Sequence, residues 1–207
     1  MPAVSDISSK GSLARSEILM AARRLFLTQG YGQTTMRDIA KAANSRAPGG
    51  IYNHFPGKEA IFQALIQEQN PADEILAVLE TSQGETAPER IRNVLRKALP
   101  LILRHYEFVE LAQIDWREFQ GKNFNRLMQG GILPRALSQI ERIQKLPGLK
   151  PLAPFALARL MVSFILGYLL TWRLGPAPVI SQLTEEQWIE TVIDTLLHGL
   201  CTDEKLG

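Results

Sequence analysis

The chain has 207 residues, 45% of them hydrophobic and 21% charged, with a formal net charge of +2; these values exclude an intrinsically disordered chain and fit one large soluble domain or two small ones. The positive excess is N-terminal: residues 1–70 hold 8 Lys/Arg against 5 Asp/Glu, while residues 71–207 hold 15 against 16. The single cysteine, Cys201, excludes an intrachain disulfide and a cysteine-based zinc site.

Residues 1–12 are polar, lack the apolar core of a signal peptide, and read as a flexible arm on a cytoplasmic protein. The first helix follows in "SEILMAARRLFLTQG", where Ile18, Ala21, Ala22, Leu25 and Phe26 repeat with helical spacing and Gly30 supplies the C′ residue. Arg23 and Arg24 fall on its solvated face. A second helix starts at Thr35, whose hydroxyl can cap it, with Asp38 three places on as in a capping box; Ile39, Ala42 and Ala43 face inward. Asn44 tolerates the left-handed turn that comes next.

In the third element Ala47, Ile51 and Phe55 repeat at i, i+4, i+8 and point inward, leaving Gly49, Tyr52 and Asn53 outward. Pro48 suits a first helical turn. Pro56-Gly57 stops this element, and Lys58 opens a helix with Ile61, Phe62 and Leu65 on its apolar side. Residues 13–66 therefore form a three-helix unit leaning on a fourth helix, and residues 67–207 a larger helical domain.

Within that larger part, residues 71–83, 87–106 (bent or broken at Pro100), 107–120, 123–146 (interrupted at Gly130-Gly131 and Pro134), 155–174 and 184–201 all read as helices. Thr184, with Glu186 and Gln187 behind it, marks the last start. The class is all-α. Residues 155–172 are long enough to approach a membrane span, but Arg159, Ser163 and Thr171 interrupt them, and burial between helices is the expected reading.

A short helix, a tight turn, a glycine-bearing helix and then a lysine fit a helix-turn-helix. "ILMAARRLFLTQGYGQTTMRDIAKAA" followed by "GGIYNHFPGKEAIF" resembles the N-terminal domain of the TetR/AcrR regulators over about residues 14–65. The resemblance implies a homodimeric, ligand-responsive repressor. Gly49 or Gly50 would admit the DNA backbone or a base edge closely, Tyr52 and His54 would donate to phosphates, and Lys58 would hold a phosphate at a helix start. Thr35 would clamp the backbone and Arg37 reach a guanine edge. Arg46, Pro48 and Asn53 complete the candidate DNA surface. Between Ile39-Ala40 and Tyr52 the chain carries one residue more than the family pattern, with "NSRA" in place of Gly-Val-Ser, which leaves base contacts at 44–48 open.

His105, Phe108, Asp115, Trp116, Phe119 and Phe124, with Phe164, Tyr168 and Trp172, read either as an aromatic core or as a pocket for a small apolar or amphipathic effector. Residues 155–174 and 184–201 are expected to pair with a second copy through Leu160, Phe164, Gly167 and Tyr168 and through Trp188, Val192, Leu196 and Leu197. No cofactor is expected, and His198 with Cys201 gives too few ligands for a metal. Neither a P-loop, a nucleophile elbow nor a dinucleotide fingerprint occurs, so an enzyme is the weaker class. A helical adaptor would explain the architecture but not Gly49-Gly50 with Lys58.

Overall fold

A computed structural model of the chain describes residues 4–43, 48–172 and 184–200; the side chains of residues 4–10, 48, 49, 172 and 200 lie outside the description. The described residues form helices joined by short loops and contain no β-strand. They divide into two compact units: one comprises residues up to Asn70 with Glu107–Leu127, the other Pro71–Tyr106 with the chain from Met128 onward. This differs from a division at residue 66, because one later segment packs with the N-terminal unit.

In the N-terminal unit, α1 (Val4–Thr28) starts inside the stretch expected to be an arm. It ends where expected: Gln29 N–H donates to the Leu25 carbonyl, and Gly30 takes φ 89°, the left-handed geometry that glycine adopts without strain. Helix α2 (Met36–Ala42) carries a complete capping box. The third element is not an α-helix. Pro48–Asn53 forms a short 3₁₀ helix, tightened where Pro48 lacks an N–H and two glycines weaken α-helical propagation. Its periodicity still holds, since Ile51 and Phe55 are 0% and 4% exposed. Helix α3 (Lys58–Glu68) buries Ile61, Phe62, Leu65 and Ile66.

Helices α6 (Tyr106–Phe119) and α7 (Lys122–Leu127) complete this unit. Phe108, Leu111 and Ile114 join Ile18, Ala22, Phe26, Ile39, Ile51 and Leu65 in one core. At its edge Phe26, Tyr31, Phe62 and Phe119 form an aromatic cluster with ring centroids 5.0–5.9 Å apart, a spacing that adds to the gain from burial alone.

The second unit contains α4 (Ala72–Thr81), α5 (Ala87–Arg104), α8 (Leu133–Gln144), α9 (Pro154–Trp172) and α10 (Glu185–Leu200). Pro100 does not end α5, which runs four residues further; the break comes at His105. The Gly130-Gly131 interruption is real, a π turn over Met128–Ile132 with Gly131 at φ 128°. Thr184 and Gln187 cap α10 reciprocally, as their spacing predicts. Leu76, Ile91, Leu95, Leu99, Ile143, Leu157, Ile193 and Leu197 form the core of this unit. Arg92 and Arg96 tie α5 to Glu190 and Asp194 of α10, and Arg135 ties α8 to Asp73 and Glu80 of α4. One described helix, Pro154–Thr171, is long and apolar enough to cross a membrane by length and composition.

Candidate DNA-binding surface

The capping box of α2 decides what Thr35 can offer. Asp38 N–H donates to Thr35 Oγ1 at 3.1 Å, and Thr35 N–H donates to Asp38 Oδ2 at 3.0 Å. The Thr35 hydroxyl proton also goes to Asp38 Oδ2, at 2.6 Å. These bonds, the side-chain one first and the backbone one second, hold the Asp38 carboxyl below its usual range. Thr35 thus fixes the start of α2, and one turn in, Arg37 lies exposed on the helix.

Beyond the turn, Tyr52 is 57% exposed although the adjacent Ile51 is fully buried. Asn53 is exposed, while Gly50 and His54 are half-buried. The short 3₁₀ helix therefore turns its polar residues to solvent while its apolar ones anchor it. Pro48 and Gly49 belong to this element by backbone, and Arg46 falls outside the described residues.

Lys58 departs from the expected free cation. Its ammonium donates to the carbonyls of Tyr31 at 2.7 Å and Thr34 at 2.8 Å. It also lies 4.1 Å from the centroid of the Tyr31 ring. The adjoining α3 start has Gly57 as its N-cap, with no side-chain cap, so open backbone N–H groups remain there to favour an anion.

Tyr31 links these parts. Burial, then the carboxylates of Glu59 and Glu118, push its phenol up to about 12. It was visible in the sequence only as the Tyr of a Gly-Tyr pair. Thr34, 1% exposed, carries no local sequence signal that marks it. Arg23 is no free surface charge, pairing with Glu107 at 2.8 Å.

The model for bacterial regulatory proteins of the tetR family matches residues 18–65, which are these helices and the turn between them. Over 198 residues, 88% of this chain and 90% of the relative, the chain is 28% identical to the HTH-type transcriptional regulator TtgR of Pseudomonas putida. Residues 18–65 are a TetR-family DNA-binding domain. Over 68 residues, 33% of this chain and 34% of the relative, the chain is 40% identical to the HTH-type transcriptional repressor AcnR of Corynebacterium diphtheriae. Among solved structures, NalD of Pseudomonas aeruginosa, the secondary repressor of the MexAB-OprM multidrug efflux pump, shares the fold. Its TM-score is 0.68 at 21% identity, covering 94% of this chain and 99% of that one. A TetR-family protein of Rhodococcus RHA1 gives 0.70 at 21%, covering 92% and 98%. The protein is a DNA-binding transcriptional regulator, and its family is not one of enzymes.

The expected effector residues of this TetR-family regulator have divided roles. Phe108 belongs to the N-terminal core, with Phe119 and Phe124 packed against it. Asp115, fully buried, accepts from Asn123 Nδ2 at 2.8 Å and from Phe124 N–H at 2.9 Å. It caps α7 rather than lining a pocket. Trp116 is 57% exposed, its ring lying over Gly121. In the second unit, His105 lies 3.3 Å from Glu74, Tyr168 is buried and Phe164 is partly exposed; the Trp172 side chain is outside the described residues. A cleft of about 690 Å³ does open in this unit, lined by Arg96, Pro100, Glu185, Glu186, Ile189 and Glu190, none of them an expected pocket residue.

The expected interface residues also divide. Leu160 and Phe164 are exposed, and Gly167 faces open space. Leu196 is 4% exposed and Leu197 1%. Their apolar stripe is used within the unit, packing α10 into its own core, which leaves little of Leu196 exposed to a partner. Trp188 and Val192 are half-buried.

Proposed function

We propose that the protein is a cytoplasmic homodimeric repressor that binds a palindromic operator and is released by a small apolar or amphipathic molecule. Each N-terminal unit would read one half-site, with Arg37, Gly50, Tyr52, Asn53 and His54 facing DNA and Thr35 fixing the register of α2. The observation that carries this reading is the divided 3₁₀ helix: Ile51 and Phe55 anchor it, while Tyr52 and Asn53 stand exposed beside two glycines. Large exposed aromatics are costly in water, and a phenol at this site can both pack on a sugar and donate to a phosphate.

Repression is supported by the similarity to AcnR and NalD, both repressors. Release requires only that the effector prefer one separation of the two heads over another. The test selects genomic fragments on immobilised protein and sequences them. Recovered fragments are expected to share an inverted repeat with half-site centres about 34 Å apart. Sedimentation at micromolar concentration should give a dimer. Retention of no duplex at low salt would refute the proposal.

A further inference from the structure

We infer that Lys58 is a positioning residue for DNA binding: its ammonium fastens the loop between α1 and α2, and with it the N-terminus of α2, instead of neutralising a phosphate. The inference rests on the DNA-binding function proposed above. An ammonium has three N–H donors. Two of them meet the carbonyls of Tyr31 and Thr34 at 2.7 and 2.8 Å, and the group lies 4.1 Å from the Tyr31 ring centroid. Hydrogen bonds from a charged donor are about twice as strong as neutral ones, and the ring face adds a further attraction. Two of the three donors are thus committed, and a phosphate would have to compete with the ring face for the one that remains.

The held loop is itself a closed network. Thr34 Oγ1 donates to the Gly30 carbonyl at 2.8 Å and accepts from Gln29 Nε2 at 3.2 Å. Thr34 also directly precedes Thr35, the residue that caps α2. Lys58 is the first residue of α3, immediately beyond the 3₁₀ helix. This side chain therefore adds a direct polar tie between the loop before α2 and the end of the recognition turn, beside the core they share. Those are the two edges that must meet the DNA backbone together.

The test compares wild type with Lys58→Met, which keeps the unbranched stem of the side chain and removes the ammonium. Affinity for a selected duplex is measured across a salt series. The expected result is a loss of roughly tenfold at every salt concentration, about 1.4 kcal/mol, with an unchanged slope of log K against log salt. The contacts that are misplaced, from the Thr35 segment and backbone N–H groups, carry no net charge and release no counterions. A lost phosphate contact would instead reduce the slope by about 0.9.

A second measurement needs no variant. Reductive methylation of the free wild-type protein, read by peptide mass, should leave Lys58 protected while the exposed Lys41 and Lys122 react. A reduced salt slope overturns the inference. So does methylation of Lys58 in the free protein at the rate of Lys41, and this decides the matter alone where the variant does not fold. If wild type binds no duplex, the functional proposal falls while protection of Lys58 in the free protein still stands.

Discussion

Asp115→Ala is predicted to loosen the α6–α7 segment by about 2–4 kcal/mol, and Asp115→Asn by less than half of that. The carboxylate is fully buried and accepts from the Asn123 amide at 2.8 Å and from Phe124 N–H at 2.9 Å. Alanine leaves both donors without a partner, and each buried donor so orphaned costs about 1–3 kcal/mol, partly offset because a buried charge is removed as well. Asparagine behaves differently. Its carbonyl can keep the Phe124 bond, and its NH₂ can meet the Asn123 side-chain oxygen once that amide rotates. That oxygen is buried and without a hydrogen-bond partner in the native arrangement. Amide exchange at Phe124 and Asn125, compared with Ile39, reads the local effect, and urea unfolding gives its size. Equal damage from both substitutions would refute the amide-rotation argument. Native exchange at Phe124 in the alanine variant, combined with lost effector binding, would return Asp115 to the pocket.

Gly50→Leu is expected to abolish specific DNA binding with helicity and melting retained; a parallel fall in melting temperature would show that the glycine serves packing inside the head. The capping box predicts a pH effect. Because its hydrogen bonds depress the Asp38 carboxyl, its contribution is present above the ordinary carboxylate value of about 4 and is lost as pH falls through the lower folded value. The melting difference between wild type and Asp38→Ala should therefore be constant from pH 7 to 5 and shrink below about 4; a difference that persists in strong acid contradicts this. Phe164→Glu is predicted to give folded monomers, and Leu196→Glu misfolded protein, since only the latter is buried. Sedimentation and circular dichroism separate the two, and soluble helical monomers from Leu196→Glu would contradict its core assignment.

Much of the fold was legible because local rules act locally. Thr35 with Asp38, Thr184 with Gln187, and Gly30 after α1 are caps written into three or four consecutive residues, and each forms as its spacing dictates. Ile51 and Phe55 were assignable inward from periodicity even though the element proved to be 3₁₀. What periodicity does not state is which partner an apolar stripe meets. Phe108 and Leu196 both lie on correct stripes, yet one joins the N-terminal core and the other the core of the second unit. The same holds for charge. A lysine at a helix start reads as an anion site until two carbonyls, 24 and 27 residues earlier in the chain, are found within 2.8 Å.

The reassignment of Leu196 bears on how the proposed dimer could hold together. On α10 the outward residues are polar or small, with Gln187, Thr191, Thr195, His198 and Gly199 exposed. Exposed apolar surface lies instead on α9, where Leu160, Val162, Phe164, Leu166 and Leu170 are 38–55% exposed. Covering the exposed half of such a side chain contributes about 1 kcal/mol. Five of them, doubled by a twofold axis, give at most about 10 kcal/mol, since Leu160 and Phe164 lie on a different side of the helix from Val162, Leu166 and Leu170, against an association cost of about 4–15 kcal/mol. The apolar stripe alone therefore leaves the dimer near balance. Gly167, which faces open space, can tip it by letting a partner backbone approach closely enough for dispersion contacts to add. Dimerisation on these terms depends on protein concentration, and so does DNA affinity, because the second head gains its effective concentration only while the pair is intact.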